Sequence, residues 1–552
     1  MAFLNFYETT QFPLLWRIAP IFPRPIQDFS SKSGGKPSLN IDSFFNLCYG
    51  HLAKNQRIIE VAMPSLPPAE FDLLFNPKSI ALIGASNNMG KWGAMVFLNI
   101  ILGGYVGRLY PVNPKEEAIF GHKAYPRITE IPEPVDLAII AIPASLTLNA
   151  VGDCLAKGVR MAIVITSDFS ETGEEGARLE KELVEKARAG GLRLVGPNTM
   201  GIFSATASLT ALMPPVRPRK GKVSLVSQSG NIGTQMMAWG EKFAVGFDKY
   251  VSSGNEGDLR AEDYVAFFGG APDTRVILAY IEGLDDGREF WEKAKKITPQ
   301  KPIIAFKGGK TGAGARAAKS HSGAMAGSRE IYESAFRQAG VVWASTTEEM
   351  LEWAAAFSFF PLPRGNRVGI LTRGGGWGVI TADACNEIGL EVPPLEEKVI
   401  RTLDPILPAY WSKGNPVDMA ASMSVNAYLE SLEALIAWEK VDAVISLSGD
   451  AGPITSIISE VKRKAAGIIP AENLEKISVH LAVSRTRIRQ KICELMEKYR
   501  KPVLAVGANA AEGKAEPTAD LPLPQFRTPE RAVLAAGKLY HYYSYLKSIG
   551  AV

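Results

Sequence analysis

His321 stands in "AKSHSGAMAG", residues 318–327, among serines and glycines, as one of five histidines in a 552-residue chain. One imidazole nitrogen can attack a phosphoryl group if the other donates its proton to a fixed acceptor, which sets tautomer and orientation. A carboxylate is the natural acceptor. "VILAYIEGLDDG" supplies Glu282 at the end of an apolar run, where parallel sheets present functional groups at their carboxyl edge, while Asp285 and Asp286 are expected to face water. A phosphorylated imidazole gains negative charge, so clustered backbone N–H groups at helix starts should surround it. "VSQSGNIGTQM" offers such a start at Ser229 and Gly230, and "LTRGGGWGVITADA" a second at Gly375 and Gly376, with Arg373 adding a cation. Taken singly, each feature also has a plain explanation in chain reversal or helix capping. Their joint occurrence points to phosphoryl chemistry.

A further glycine turn, "SIALIGASNNMGKWG", joins a strand to a helix at Gly84, where missing side chains let backbone N–H groups approach a phosphate. Ser86 and Met89 occupy the second and third glycine positions of a dinucleotide fingerprint, and the next strand ends in "LYPVNPK", without an acid for a nicotinamide ribose. Both departures count against NAD. Lys115 would suit an extra phosphate, as on coenzyme A or NADP. "GGKTGAG" is not a Walker A loop, because Ile304 stands where its first glycine belongs.

The elements that must position these groups alternate. From Ser79 onward, short apolar runs ("SIALIG", "RLYPVN", "DLAIIAIP", "MAIVIT", "LRLVGPN") alternate with amphipathic stretches such as 92–102 and 174–189, the pattern of a parallel sheet covered on both faces. A second series ("KVSLVS", "VILAYIEG", "PIIAFKGG") follows the proline-rich run "LMPPVRPRKG", read as a linker, and a third ("RVGILTRGGG", "AVISLSG", "SVHLAVS", "PVLAVG") follows "PLPRGN". A helix over 529–548 closes the chain. The length suits roughly three domains of ordinary size. Residues 1–65, mixing proline and aromatics without period, read as an extension, and translation starting at Met63 would remove most of it.

Composition is that of an ordinary globular chain, 46% apolar and 21% charged with a net charge of +4, which gives no case for nucleic acid. Apolar runs stop short of the roughly 20 residues a membrane helix needs. Cys48, Cys154, Cys385 and Cys493 are far apart, with neither metal-ligand nor disulfide-framework spacing, which suits a reducing cytoplasmic setting. No metal site is expected.

"ALIGASNNMGKWG", "VNPK", "AIPA", "VGPNTMG", "VSQSGNIGT", "SSGNEGDL", "YIEG", "SHSGAMAG", "LTRGGGWGV" and "NPVDM", in this order, resemble the NDP-forming acyl-CoA synthetases, relatives of succinyl-CoA synthetase, and within them the ADP-forming α subunits. The resemblance implies an α/β chain with a CoA-binding Rossmann-type domain (66–214), then a flavodoxin-like phosphohistidine domain (215–362) and a second flavodoxin-like ligase domain (363–552). It implies His321 as phosphohistidine with Glu282 as partner, and Ser229, Gly230, Gly375 and Gly376 around the phosphate. Gly84, Ala85, Ser86, Lys91, Asn113, Pro143 and Ala144 would line the coenzyme A site, with Asn198 near the thioester. It also implies a separate ATP-grasp β subunit holding ADP or ATP with Mg2+, since the chain ends without that domain, and hence a hetero-oligomer acting on a small carboxylic acid or its acyl-CoA. Thr199 stands where the family usually has cysteine, and "TRGGGWG" where relatives tend toward "TNAGGPG". Trp92, Trp239, Trp377 and Trp411 permit a bulky acyl group or serve packing. Two other readings compete: a CoA-binding regulatory subunit without turnover, and an NADP-dependent oxidoreductase.

Overall fold

The computed structural model describes residues 67–552 apart from 315, 317–328, 448–459, 461–469 and 508–522. His321 and the extension 1–65 therefore lie outside the described residues. The described residues belong to one unit, Ser65–Val552.

Runs of aliphatic residues become strands buried along their whole length, and such strands are stable only when helices cover both faces. The first sheet holds β1 (Ser79–Ile83), β2 (Arg108–Val112), β5 (Leu137–Ile140), β6 (Met161–Val164) and β7 (Arg193–Val195), all parallel, in the order β2-β1-β5-β6-β7. A small antiparallel hairpin, β3 (Ala118–Ile119) and β4 (His122–Lys123), follows β2. Helices Trp92–Leu102 and Glu174–Ala189 form over the stretches their periodicity predicts.

The second sheet runs β14-β13-β12-β10-β11-β8-β9. Its members are β8 (Gly201–Ser204), β9 (Leu209–Leu212), β10 (Lys220–Ser227), β11 (Phe247–Ser252), β12 (Val276–Ile281), β13 (Ile303–Lys307) and β14 (Val342–Trp343). β8 and β9 form an antiparallel hairpin on β11, so the chain enters this sheet ahead of the proline-rich run. That run connects β9 to β10 within the sheet rather than one sheet to the next. Asn99 fixes its start, its amide donating to the Leu212 and Pro214 carbonyls at 2.7 and 3.1 Å.

The third sheet, β16-β15-β17-β18-β19, is parallel throughout: β15 (Val368–Thr372), β16 (Val417–Asp418), β17 (Ala443–Ser446), β18 (Val503–Val506) and β19 (Gln525–Phe526). One expectation fails here. "SVHLAVS" is not a strand but lies inside the 29-residue helix Ala471–Tyr499. Good helix formers flank it with neither glycine nor proline between them, and cooperative propagation carries the helix through the β-branched residues.

The sheets pack on one another. The terminal helix Pro529–Ser548 lies against helices Thr347–Phe359 and Gly375–Glu387. The Tyr542 hydroxyl donates to the Thr298 carbonyl at 2.5 Å, and Arg531 pairs with Glu349 at 3.2 Å and with the buried Glu352. One apolar core is continuous from Leu225 and Leu278 of the second sheet to Ile370 and Ile445 of the third. Among the described residues no helix is long and apolar enough to cross a membrane.

Candidate active site

The carboxyl ends of the first two sheets face a shared cavity of about 1180 Å³. On the first-sheet side β1 is followed by Gly84, whose φ of +93° suits glycine and where a Cβ would stand 2.3 Å from the Ala141 carbonyl oxygen. Gly84, Ser86, Lys91, Asn113 and Pro143 line the wall. Lys91 opens the helix Trp92–Leu102 and Pro143 the helix Ala144–Lys157, neither with a side-chain cap, so first-turn N–H groups are available to an anion. Asn113 builds the wall rather than offering itself: its Nδ2 donates to the Ala85 carbonyl at 2.8 Å and its Oδ1 accepts from Lys115 N at 2.8 Å. Ala85 is fully buried beneath the turn, and Ala144 starts its helix behind Pro143. Lys115 and Arg127 also line the cavity, Arg127 paired with Asp153 at 2.5 Å.

On the second-sheet side, β10 delivers Ser229 and Gly230 to the start of the helix Gly230–Trp239, where the Ser229 hydroxyl caps the Ile232 N–H at 3.5 Å. Glu282 follows β12. Its backbone is held at both polar atoms: Gln228 Oε1 accepts from its N–H at 2.5 Å, and Lys307 Nζ donates to its carbonyl at 2.6 Å. Asp285 and Asp286 are exposed as expected; Asp286 caps the next helix by accepting from Glu289 N at 2.8 Å, and Asp285 edges the cavity. Asn198, at φ 58°, donates from its amide to Asn255 Oδ1 at 3.2 Å. Thr199 is buried, its hydroxyl donating to the Ser252 carbonyl at 2.5 Å, so it is a structural bond where a thiol would bond weakly.

The expected residues Gly84, Ser86, Lys91, Asn113, Pro143, Asn198, Ser229, Gly230 and Glu282 thus line one cavity. Gly375 and Gly376 do not. They open the helix Gly375–Glu387 on the third sheet, beside Arg373, whose guanidinium lies 5.6 Å from the Tyr428 ring and whose pKa burial lowers. Trp92 and Trp239 line an annex of about 570 Å³ with Ile232 and Met236; Trp92, Met200 and Asn231 also line the main cavity. Trp377 is exposed elsewhere, and Trp411 is core, donating to Asp404 at 2.9 Å.

Residues that the sequence reading passed over hold the two sides together. Asn255 donates from its amide to Glu171 and Glu180 of the first sheet's helical layer at 2.6 and 2.9 Å. Buried Asp258 accepts from Arg188, Arg193 and the Leu194 N–H at 2.6 to 2.8 Å. Glu256 stays on the second-sheet side, accepting from Ser253 and Gln228. All three lie in "SSGNEGDL", a run whose only signal was its place among the quoted motifs.

Two family descriptions match this layout: a CoA binding domain over residues 78–205 and a succinyl-CoA ligase like flavodoxin domain over 220–357. The α subunit of Pyrococcus furiosus ADP-forming acetate–CoA ligase II is 44% identical over 407 residues, covering 74% of this chain and 86% of that protein. The chain belongs to the ADP-forming acetate–CoA ligase family. Within the family it is α-subunit-like: the α subunit of P. furiosus ligase I is 37% identical over 85% of this chain and 97% of its own length. A solved structure agrees, the acetyl-coenzyme A synthetase 1 of Ca. Korarchaeum cryptofilum in complex with phosphate and ADP, with a TM-score of 0.74 at 33% identity, covering 87% of this chain and 99% of that one.

Proposed function

We propose that the chain is the α subunit of an ADP-forming acyl-CoA synthetase that works with an ATP-grasp β subunit. Together they interconvert acyl-CoA, ADP and phosphate with carboxylic acid, coenzyme A and ATP. Phosphate attacks the thioester carbonyl and the coenzyme A thiolate leaves, giving an acyl phosphate. A His321 nitrogen then attacks phosphorus and the carboxylate leaves. The phosphohistidine finally passes its phosphoryl group to ADP on the partner, where Mg2+ accompanies the nucleotide. Glu282 accepts a hydrogen bond from the N–H of the other imidazole nitrogen and so orients the ring, and the amides at Ser229 and Gly230 stabilise charge that builds on the phosphoryl oxygens. We place Gly375 and Gly376 as a second amide cluster that meets the phosphate at another stage of the transfer.

The observation that carries this reading is the single cavity joining the glycine turn and lysines of the first sheet to the Gly230 helix start and Glu282 of the second. A coenzyme laid along the first wall, its phosphates near Lys91 and Lys115, brings its thioester toward Asn198 and the phosphate amides. The annex at Trp239 leaves room for an apolar acyl group larger than acetyl. Relatives named as α subunits support the partner. The test is ATP formation from acyl-CoA, ADP and phosphate by the chain with its β subunit. His321→Asn should lower it at least about a thousandfold while the coenzyme A Kd stays within about twofold. Turnover retained by that variant would remove the carrier role.

A further inference from the structure

One enclosed carboxyl in the cavity has no part in the reaction above. Glu256 stands at φ 58° in the loop after β11, a conformation a non-glycine residue holds only when its surroundings fix it. Its Oε1 accepts from the Ser253 hydroxyl at 2.6 Å and its Oε2 from Gln228 Nε2 at 2.9 Å. The same Gln228 amide grips the turn that carries Glu282. Its Nε2 donates to the Gly283 carbonyl at 2.8 Å, and its Oε1 accepts from the N–H groups of Glu282 and Gly283 at 2.5 and 3.1 Å. Every polar position of that amide is therefore used, and among the described residues Glu256 is the only one of its partners outside the turn it holds.

We propose that Glu256 is a positioning residue for phosphoryl transfer: through Gln228 it fixes the Glu282–Gly283 turn, and with it the carboxylate assigned above as partner of the phosphoryl carrier. This inference rests on the reaction proposed above.

The electrostatics say in which form it does so. Burial, with acidic Glu262 and Asp285 acting on it, pushes the Glu256 carboxyl up to about 8, against the hydrogen bonds from Ser253 and Gln228. Glu262 comes from the helix Ala261–Gly270 and Asp285 from the loop after β12, where Arg260 lies 3.6 Å from it; Asp258, in Glu256's own loop, is neutralised by Arg188 and Arg193. In the uncharged form one oxygen accepts from Gln228 and the O–H donates to Ser253 Oγ, and phosphate meets one negative charge fewer beside Glu282. As pH rises through about 8 that proton is lost, and the added charge opposes the incoming dianion.

The experiment is the phosphate dependence of acyl-CoA-driven ATP synthesis, from pH 6.5 to 9.5, by the full chain with its β subunit. Phosphate's own titration is common to all variants, so differences between them at matched pH carry the result. The wild-type kcat/KM for phosphate should fall by about three- to tenfold across a limb centred near pH 8 and then level off. Glu256→Gln keeps an acceptor for Gln228 and a donor for Ser253 but cannot ionise. It should run at least about threefold faster than Glu256→Ala at pH 7 and lack the limb centred near pH 8. Glu256→Ala should lose about tenfold or more in kcat at every pH, with KM for coenzyme A within about twofold. A Glu256→Ala enzyme with wild-type kcat, or a Glu256→Gln enzyme that keeps the limb, overturns the proposal. Wild-type label transfer from [γ-32P]ATP to the chain is scored in parallel. Label with unaltered Glu256 variants sinks this inference alone, whereas no label sinks the reaction on which it rests.

Discussion

A carboxylate can orient an imidazole only if its own backbone does not drift, and Glu282 meets that condition because Gln228 and Lys307 each hold one of its main-chain polar atoms. Gln228 directly follows β10 and Lys307 ends β13, the strands on either side of β12. The residue scale also carries a stability consequence. Glu262 is buried, and burial, reinforced by Asp263, raises its carboxyl to about 7. An acid whose folded pKa lies above its unfolded value binds more protons when folded, so its contribution is full below about 4.5 and declines as pH rises through 7. Glu262→Gln should flatten this decline. Unfolding free energies from denaturant titrations at pH 5 and 8 should differ by on the order of 3 kcal/mol less than in wild type. An unchanged difference would mean that Glu262 ionises freely in the fold. Glu282, Ser229 and Gly230 were legible in the sequence because each sits at a strand-to-helix junction. Gln228, Asn255 and Glu256 were not, because their value lies in partners 28 to 85 positions away.

At the scale of elements, the strand-to-helix turn of the first sheet depends on two close approaches. Gly84 passes the Ala141 carbonyl, and Gly93 passes Gly84 so closely that a Cβ there would stand 1.9 Å from its carbonyl oxygen. Backbone cannot yield cheaply at that distance, so Gly93→Ala should cost about 1–3 kcal/mol and tilt the helix Trp92–Leu102 away from the turn. Calorimetric titration of coenzyme A should then show a Kd at least about tenfold weaker; an unaltered Kd would mean that this helix start does not serve the coenzyme. Alternation of apolar runs with helical periods was enough to read the three sheets and the boundaries of several helices. It misled at "SVHLAVS", where the alternating residues sit in a long uninterrupted helix, and at 212–221, where proline and charge mark a connection inside a sheet. Local pattern does not report which neighbour a segment pairs with.

Across the whole molecule, the terminal helix Pro529–Ser548 ties the second and third sheets into one core, and Arg531 is its ionic fastening to Glu349 and Glu352. Glu352 is buried and burial raises its pKa even against Arg531, so removing the arginine leaves a carboxyl without its main counter-charge. Arg531→Met should destabilise the chain by about 3 kcal/mol, and adding Glu352→Gln should restore much of it in thermal unfolding. Equal and additive losses would show that the pair is not coupled. The cavity too is assembled from two sheets, and the proposed reaction uses both and passes the phosphoryl group on to the partner's nucleotide. The most direct measurement is mass-spectrometric mapping of phosphate on the full chain after incubation with its β subunit, Mg2+ and ATP, under alkaline conditions that preserve phosphohistidine. Phosphate should be found on His321 and be discharged by adding ADP or by adding coenzyme A with the carboxylic acid. An unmodified His321 in a preparation that turns over, or phosphate on another residue, would contradict it.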